Sequence, residues 1–321
     1  MKTIDVFSGE GRFYRGNLHT HSNRSDGRLP PESVCAAYQQ AGYDFIALTD
    51  HFLPTYGFPV TDTRAWRSER FTTLLGAEVH VPATSMGEAW HLLAVGLPLD
   101  FEPTRPGETA PELARRCAQA GAYVGIVHPD WYGLTEQDAE AIDCAHAVEV
   151  YNHTSAVKND RGDGWSLLDR LLARGRRLGS FACDDAHFHF DDAFGAWVMV
   201  HAPGLEPEAL LSSLKAGRHY ASQGPQIHGI CYDDRQVTVR CSPASAVMVL
   251  GRGSRARVEF GDGLQQATLD LDAFTAAGYF RVVVRDAAGR RAWSNPLWLD
   301  ALQQDEPSRP TSEHRQQETG A

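Results

Sequence analysis

From residue 17 to about 220 the chain alternates short apolar runs with amphipathic stretches, and that alternation predicts a β/α series. Apolar runs fall at Phe45-Ile-Ala-Leu48, at 70–80 (RFTTLLGAEVH), at 91–98 (HLLAVGLP), at 122–131 (AYVGIVHPDW), at 147–153 (AVEVYNH), at 178–187 (LGSFACDDAH) and at 196–204 (AWVMVHAPG). Between them, 31–41, 110–121, 135–145, 164–175 and 206–218 carry helical spacing. The first of these helices has Pro31 at its start and Gly42 just past its end, both favoured positions. The strands are continuous apolar runs rather than alternating ones, as expected when both faces are covered, so the reading is a parallel α/β barrel. From Gln226 the texture changes to alternating apolar and polar positions punctuated by Gly, Asp and Pro, which predicts short antiparallel strands in a small sandwich-like domain. Gly251-Arg-Gly253 and Gly261-Asp-Gly263 read as turns there. The expected division is 1–225 for the barrel, 226–302 for the β domain and 303–321 for a polar, aromatic-free tail, read as disordered.

Composition narrows the class. The 321 residues are 42% hydrophobic and 22% charged, enough to bury a substantial core, and the net charge of −11 with no long Lys/Arg run argues against long nucleic acid as a partner. The amino-terminal stretch lacks the apolar core of a signal peptide, and no run approaches membrane-spanning length, so the expectation is a cytoplasmic protein with no membrane partner. Six Cys without CxxC spacing read as reduced, mostly buried thiols.

The candidate chemistry sits where the apolar runs end. His19-Thr-His21 places two imidazoles at i and i+2, on one face of a strand. His51, Glu78, His128, Asp185 and His187 also terminate strands, with His91 the exception at a strand start. In a barrel the carboxyl ends converge on one mouth. Buried imidazoles and carboxylates that lack partners are costly, and a metal cluster supplies a partner for all of them. There is no GxSxG, no GxxxxGK[ST] and no strand-linked GxGxxG, which leaves serine esterase, NTPase and dinucleotide redox readings without residues.

The ordered set His19-x-His21, Asp26, Thr49-Asp50-His51, Glu78, His91, His128 and Asp185-x-His187 resembles the polymerase and histidinol phosphatase (PHP) superfamily over residues 15–225. The wording around it (GNLHTH, YDFIALTDH, GAEVH, HLLAVGLP, DDAHF, GRHYASQGP) is similar to the CehA/McbA-like branch, named after a carbaryl-hydrolysing enzyme. The resemblance implies a distorted βα barrel of about seven strands holding two to three divalent ions. One ion would take His19, His21, Glu78 and Asp185; a second Asp26, His51 and His187; a third would share Glu78 and add His91 and His128. Mixed nitrogen and oxygen donors suit zinc, manganese or iron. Two alternatives stay open: Asp184 beside Asp185, and His80, on the strand face of Glu78, beside His91. Asp50 is expected to orient a ligand imidazole through its other nitrogen.

The activity implied is hydrolysis by a metal-bridging hydroxide. A phosphoesterase acting on a small, anionic phosphomonoester or short phosphodiester leads. A carbamate, ester or amide hydrolase is the alternative, and a non-catalytic metal- or partner-binding module the third reading. Expected substrate contacts are Asn152, Lys158, Arg161, Trp131 and Tyr132 near the mouth, with Arg218 and His219 closing it. His153 is the candidate proton donor.

Overall fold

In the computed structural model, which describes residues 4–233 and 235–304, the chain forms a mixed α/β fold around one large sheet. Its strands are β1 (Arg12–Asn17), β2 (Phe45–Leu48), β3 (Thr72–Val81), β4 (Trp90–Val95), β5 (Tyr123–Ile126), β6 (Ala147–Asn152), β7 (Gly179–Cys183), β8 (Trp197–Ala202) and β9 (His219–Ser222). The helices are α1 (Pro31–Gln40), α2 (Ala110–Gln119), α3 (Glu136–Ala141), α4 (His153–Asn159), α5 (Trp165–Ala173) and α6 (Pro207–Lys215). Each lies where the sequence spacing predicts it, except α4, a short helix that Asn152 caps by accepting from Ser155 N at 2.8 Å. Gly42, at φ +80°, takes the left-handed conformation that closes α1.

Strands β1 to β7 neighbour one another in chain order, and the parallel bridge Thr20–Ala186 joins the chain beyond β7 to the chain beyond β1. The all-parallel expectation fails at two places. β4 runs antiparallel to β3 and β5, with His80 opposite His91. Only residues 82–89 connect β3 to β4, too few for the crossover that a parallel pair needs. β8 is likewise antiparallel to its neighbours β1 and β9. The first reversal explains why His91 stands at a strand start: in an antiparallel strand the start lies beside the partner's end.

The carboxy-terminal region is all-β, built from β10 (Ile227–Tyr232), β11 (Gln236–Gly251), β12 (Ala256–Asp270), β13 (Tyr279–Arg285) and β14 (Arg291–Ser294). It is continuous with the rest of the sheet through β9, which pairs with both β8 and β14, and through Ile4–Asp5, which pairs with β10. Its core includes Ile230, Val237, Val249, Phe274, Phe280 and Val282, all buried. Gly253 does sit in the turn between β11 and β12, but Gly261-Asp-Gly263 lies within β12, where the register jumps from Ala246–Phe260 to Ala244–Leu264. No helix of the described residues is long and apolar enough to cross a membrane. All six cysteines are free. Of the expected tail, residues 305–321 lie outside the described residues, whereas 303 and 304 end the short helix Leu299–Gln304.

Candidate metal centre

Beyond Asn17 the chain stays extended between its neighbours. His19 O accepts from Asp185 N, His21 N donates to Ala186 O and Thr20 O accepts from Thr49 N, each at 2.9 Å. Both imidazoles therefore turn to the same side, with ring centroids 5.3 Å apart. Facing them is Glu78, at 0% exposure, on which the cluster centres. One of its oxygens, Oε1, lies 2.8 Å from His91 Nδ1 and 2.9 Å from His128 Nε2. The other, Oε2, lies 2.7 Å from His51 Nδ1, 3.6 Å from both His19 Nε2 and His21 Nε2, and 3.9 Å from His80 Nε2.

Two further carboxylates complete the cluster. Asp185 Oδ1 lies 3.2 Å from His19 Nε2 and 2.9 Å from His21 Nε2. Asp26 stands 3.4 Å from His51 Nε2 and 3.5 Å from His187 Nε2. His128 and Asp185 both have positive φ, at 29° and 58°, a backbone conformation that side chains of this size seldom adopt. Both are strand-terminal residues turned into the cluster.

A divalent cation fits this donor set on two observations. First, His19 Nε2, His21 Nδ1 and Glu78 Oε2 are buried and, despite the short N···O separations around them, form no hydrogen bond of acceptable geometry among the described residues, an arrangement that costs about 1–3 kcal/mol per group when nothing else satisfies it. Second, the separations of 2.9–3.6 Å from His19 and His21 to Asp185 and Glu78 approximate the donor–donor edge of a tetrahedron with bonds of about 2.0–2.2 Å, which is roughly 3.3–3.6 Å. Donor atoms group four ways, each within 4.8 Å: His21, Asp26, His51 and His187; His51, Glu78, His80 and His91; His19, His21 and Asp185; His19, Glu78 and His128.

The buried charges of the cluster perturb one another strongly. Burial opposes ionisation of Glu78 and Asp185, yet the surrounding imidazoles hold both carboxyls well below the ordinary range. Burial also opposes charge on His51, but Glu78 and Asp26 raise it to about 10; His21, buried and facing His187 and His51, falls to about 4. Two tautomers follow from acceptor-only partners. His187 Nδ1, 2.8 Å from Asp185 O, must carry the hydrogen, and so must His19 Nδ1, 3.3 Å from Glu149 Oε1. In the neutral rings, both Nε2 lone pairs then face the carboxylates.

The remaining sequence candidates divide. Lys158, Trp131, Thr154 and Ser155 join the cluster in lining a cavity of about 180 Å³. Trp131 and Tyr132 pack their rings 5.1 and 5.4 Å from His128; Trp131 is 37% exposed at the rim and Tyr132 is buried beneath it. Asn152 lies under the cavity, its Nδ2 donating to Glu149 Oε2 at 3.0 Å and to Asp185 Oδ2 at 3.1 Å. His153 points elsewhere, its Nδ1 3.3 Å from the Tyr151 hydroxyl and its ring against Gly195, and burial lowers its pKa. Arg161 reaches back to Trp131 O at 3.2 Å without lining the cavity.

Four expectations need correction. Asp50 touches no imidazole: it accepts from Ser22 N at 2.7 Å and from the hydroxyls of Ser22, Ser25 and Thr61, bracing the turn that presents Asp26. Asp184 faces away from the cluster, accepting from the Tyr38 hydroxyl and from the backbone N–H groups of Phe194, Gly195 and Ala196 at 2.8–3.0 Å. Arg218 and His219 are remote from the cluster. Arg218 bonds Ser213 Oγ at 3.0 Å and His219 Nε2 lies 3.1 Å from Ser180 O, and both line a different cavity.

One open alternative joins the cluster, and one participant is new. His80, on the strand face of Glu78, stands beside His91 rather than in place of it: it lies 2.9 Å from His51 Nδ1 and packs edge-on against His91, at 4.3 Å between ring centroids. Glu149, 1% exposed, joins His19 Nδ1, His128 N and Asn152 Nδ2. A carboxylate ending an apolar strand marked it.

Residues 17–159 match the family model of the PHP domain. Among curated proteins none matches the chain. Among solved structures, a two-domain protein from Bacteroides vulgatus containing a predicted PHP-like metal-dependent phosphoesterase is similar with a TM-score of 0.52 at 16% identity, covering 84% of this chain and 90% of that one. An amidohydrolase from Chromobacterium violaceum has a TM-score of 0.43 at 16% identity, covering 56% of this chain and 89% of that one. At such identities the likeness to the first is one of fold.

Proposed function

We propose that the protein is a metal-dependent hydrolase, and that its preferred substrate is a small phosphomonoester or short phosphodiester. The observation that carries this is the buried carboxylate of Glu78, ringed by imidazoles, opening on a cavity of about 180 Å³ whose wall includes Lys158. The match of residues 17–159 to the PHP domain and the fold shared with a protein described as containing a predicted metal-dependent phosphoesterase support it. We take β1 to β7 as the distorted barrel that the resemblance implies, and residues 226–302 as a packing domain.

His19, His21, Glu78 and Asp185 would hold one divalent ion, Asp26, His51 and His187 a second, and Glu78, His91 and His128 a third, with His80 flanking the last. Such ions supply Lewis-acid polarisation of the scissile group and a hydrolytic nucleophile at neutral pH. The protein's own contribution is placement. Glu149 and the Asp185 carbonyl fix the tautomers of His19 and His187. The Lys158 ammonium and the Trp131 ring line the cavity and would meet the substrate there, the first as a partner for an anionic group and the second as an apolar wall.

One observation favours a second reading. Arg161 and Arg218 lie outside the cavity, so among the described residues Lys158 is the one Lys or Arg that lines it. A phosphoryl group gains most from several cations, whereas a carbamate or aryl ester asks for fewer. The test is to reconstitute the protein separately with zinc, manganese and iron and compare kcat/KM for p-nitrophenyl phosphate, bis-p-nitrophenyl phosphate, 1-naphthyl N-methylcarbamate and p-nitrophenyl acetate. Phosphate esters should lead. A carbamate or ester that outpaces every phosphate would transfer the assignment to the second reading, and no metal-dependent turnover of any of the four would remove both.

A further inference from the structure

At the amino ends of the strands, opposite the metal cluster, a second cavity of about 340 Å³ lies where helix α6, the start of β7 and the segment after β14 meet. Strand β6 separates the two ends by about 20 Å, and the cavities share no lining residue. The polar wall comprises Arg177, Lys215, Arg218, His146, His219 and Asn295, and among the described residues that line it there is no aspartate or glutamate. Trp298 forms the facing apolar wall, with the Arg177 guanidinium 4.8 Å from its ring centroid.

We propose that this cavity binds a small organic anion with a planar apolar body, an aryl phosphate, sulfonate or carboxylate. Two observations on donor chemistry carry it. His146 Nδ1 accepts from Val124 N at 3.0 Å, so its Nε2 bears the hydrogen and stands free to donate. Arg218 Nε is buried with no partner, although the other end of the guanidinium bonds Ser213 Oγ. An anion would satisfy both donors and offset the positive charges of Arg177, Lys215 and Arg218, while burial and the nearby Lys215 ammonium lower the His146 pKa and so favour its neutral, Nε2-protonated ring. Asp300 balances Arg177 from outside the lining, and Lys215 Nζ donates to Gly121 O. This leaves Arg218 without a carboxylate partner among the described ion pairs. The volume falls in the range of small-ligand pockets, about 300–1,000 Å³, and Trp298, with Arg177 over its ring and Tyr279 5.1 Å away between centroids, adds apolar surface to the wall.

The experiment is calorimetric titration of the metal-loaded full chain with naphthalene-1-sulfonate, an aryl anion with no hydrolysable ester. Binding should weaken at least fivefold in Lys215→Glu and Arg218→Gln, and also in Trp298→Leu, while Lys158→Ala, which alters the other cavity, should leave it within twofold. Lys215 is exposed, so Lys215→Glu tests the site without endangering the fold. The proposal is overturned if the wild type shows no binding up to about 1 mM, or if Lys158→Ala abolishes binding while Lys215→Glu leaves it intact.

Discussion

Glu149 Oε1 lies 3.3 Å from Nδ1 of His19, and neither side chain has any solvent exposure. The contact ties an imidazole that faces the cluster to a carboxylate that does not, and it settles which ring nitrogen carries the hydrogen. The same carboxylate accepts from His128 N at 2.7 Å, so one residue positions two members of the cluster.

Replacing Glu149 should therefore weaken metal binding while leaving the cluster's own donors in place. For Glu149→Gln a loss of 10- to 100-fold in affinity is expected, the usual cost of removing such a partner, read by competition with a chromophoric chelator. An unchanged affinity would show that His19 holds its orientation unaided.

Elemental analysis of the purified protein should find two to three divalent ions per chain, and the double variant His19→Ala/His21→Ala should lose at least one of them. Full metal content and full activity in that variant would remove the central claim about this stretch. Thermal unfolding offers an independent readout, because ions bound only by the folded chain raise its melting temperature and a chelator should lower it.

Removing the ammonium that lines the metal-side cavity, Lys158→Ala, should raise KM for a phosphate ester about tenfold, the equivalent of about 1.4 kcal/mol for a charge-assisted contact. Arg161→Ala should stay within twofold, since that guanidinium reaches only Trp131 O. Equal effects from both would contradict the placement of Lys158.

His219 gives a pH dependence with a definite sign. Burial pushes its pKa down to about 4, against a weaker opposing effect from the Ser180 carbonyl. The unfolded chain, titrating near 6.5, thus binds the proton first, and the stability this residue contributes is full above pH 6.5 and lost as pH falls toward 4. Between pH 7 and pH 5 the loss should be about 2 kcal/mol. Urea unfolding of wild type and His219→Gln at the two pH values isolates it: the variant should be less pH-sensitive by that amount.

Much of this was legible in the residues. Periodicity located the strands and most helices because their apolar runs are long and their breakers well placed, as at Pro31 and Gly42. The cluster was legible because a metal demands donor types at strand ends wherever the chain places them. Strand direction was not, since an apolar run reads the same both ways; it was decided by the short connection before Trp90. The place of Asp50, and the choice between Asp185 and Asp184, were not legible for a related reason. A carboxylate satisfied by backbone N–H groups and hydroxyls has the same sequence appearance as one facing an imidazole. Arg218 and His219 were assigned to the mouth from motif wording alone, and β9 carries them to the opposite end.

Strand β8 pairs with β1 on one side and with β9 on the other, and β9 in turn pairs with β14. The backbone that aims His19 and His21 is thus laced to the carboxy-terminal strands by consecutive ladders. Hydrogen exchange should register this as a single cooperative unit, the amides of β1, β8 and β13 sharing one opening free energy. Anything that loosens the far strands would then be felt by the histidines as lost rigidity, without a single donor atom having been altered.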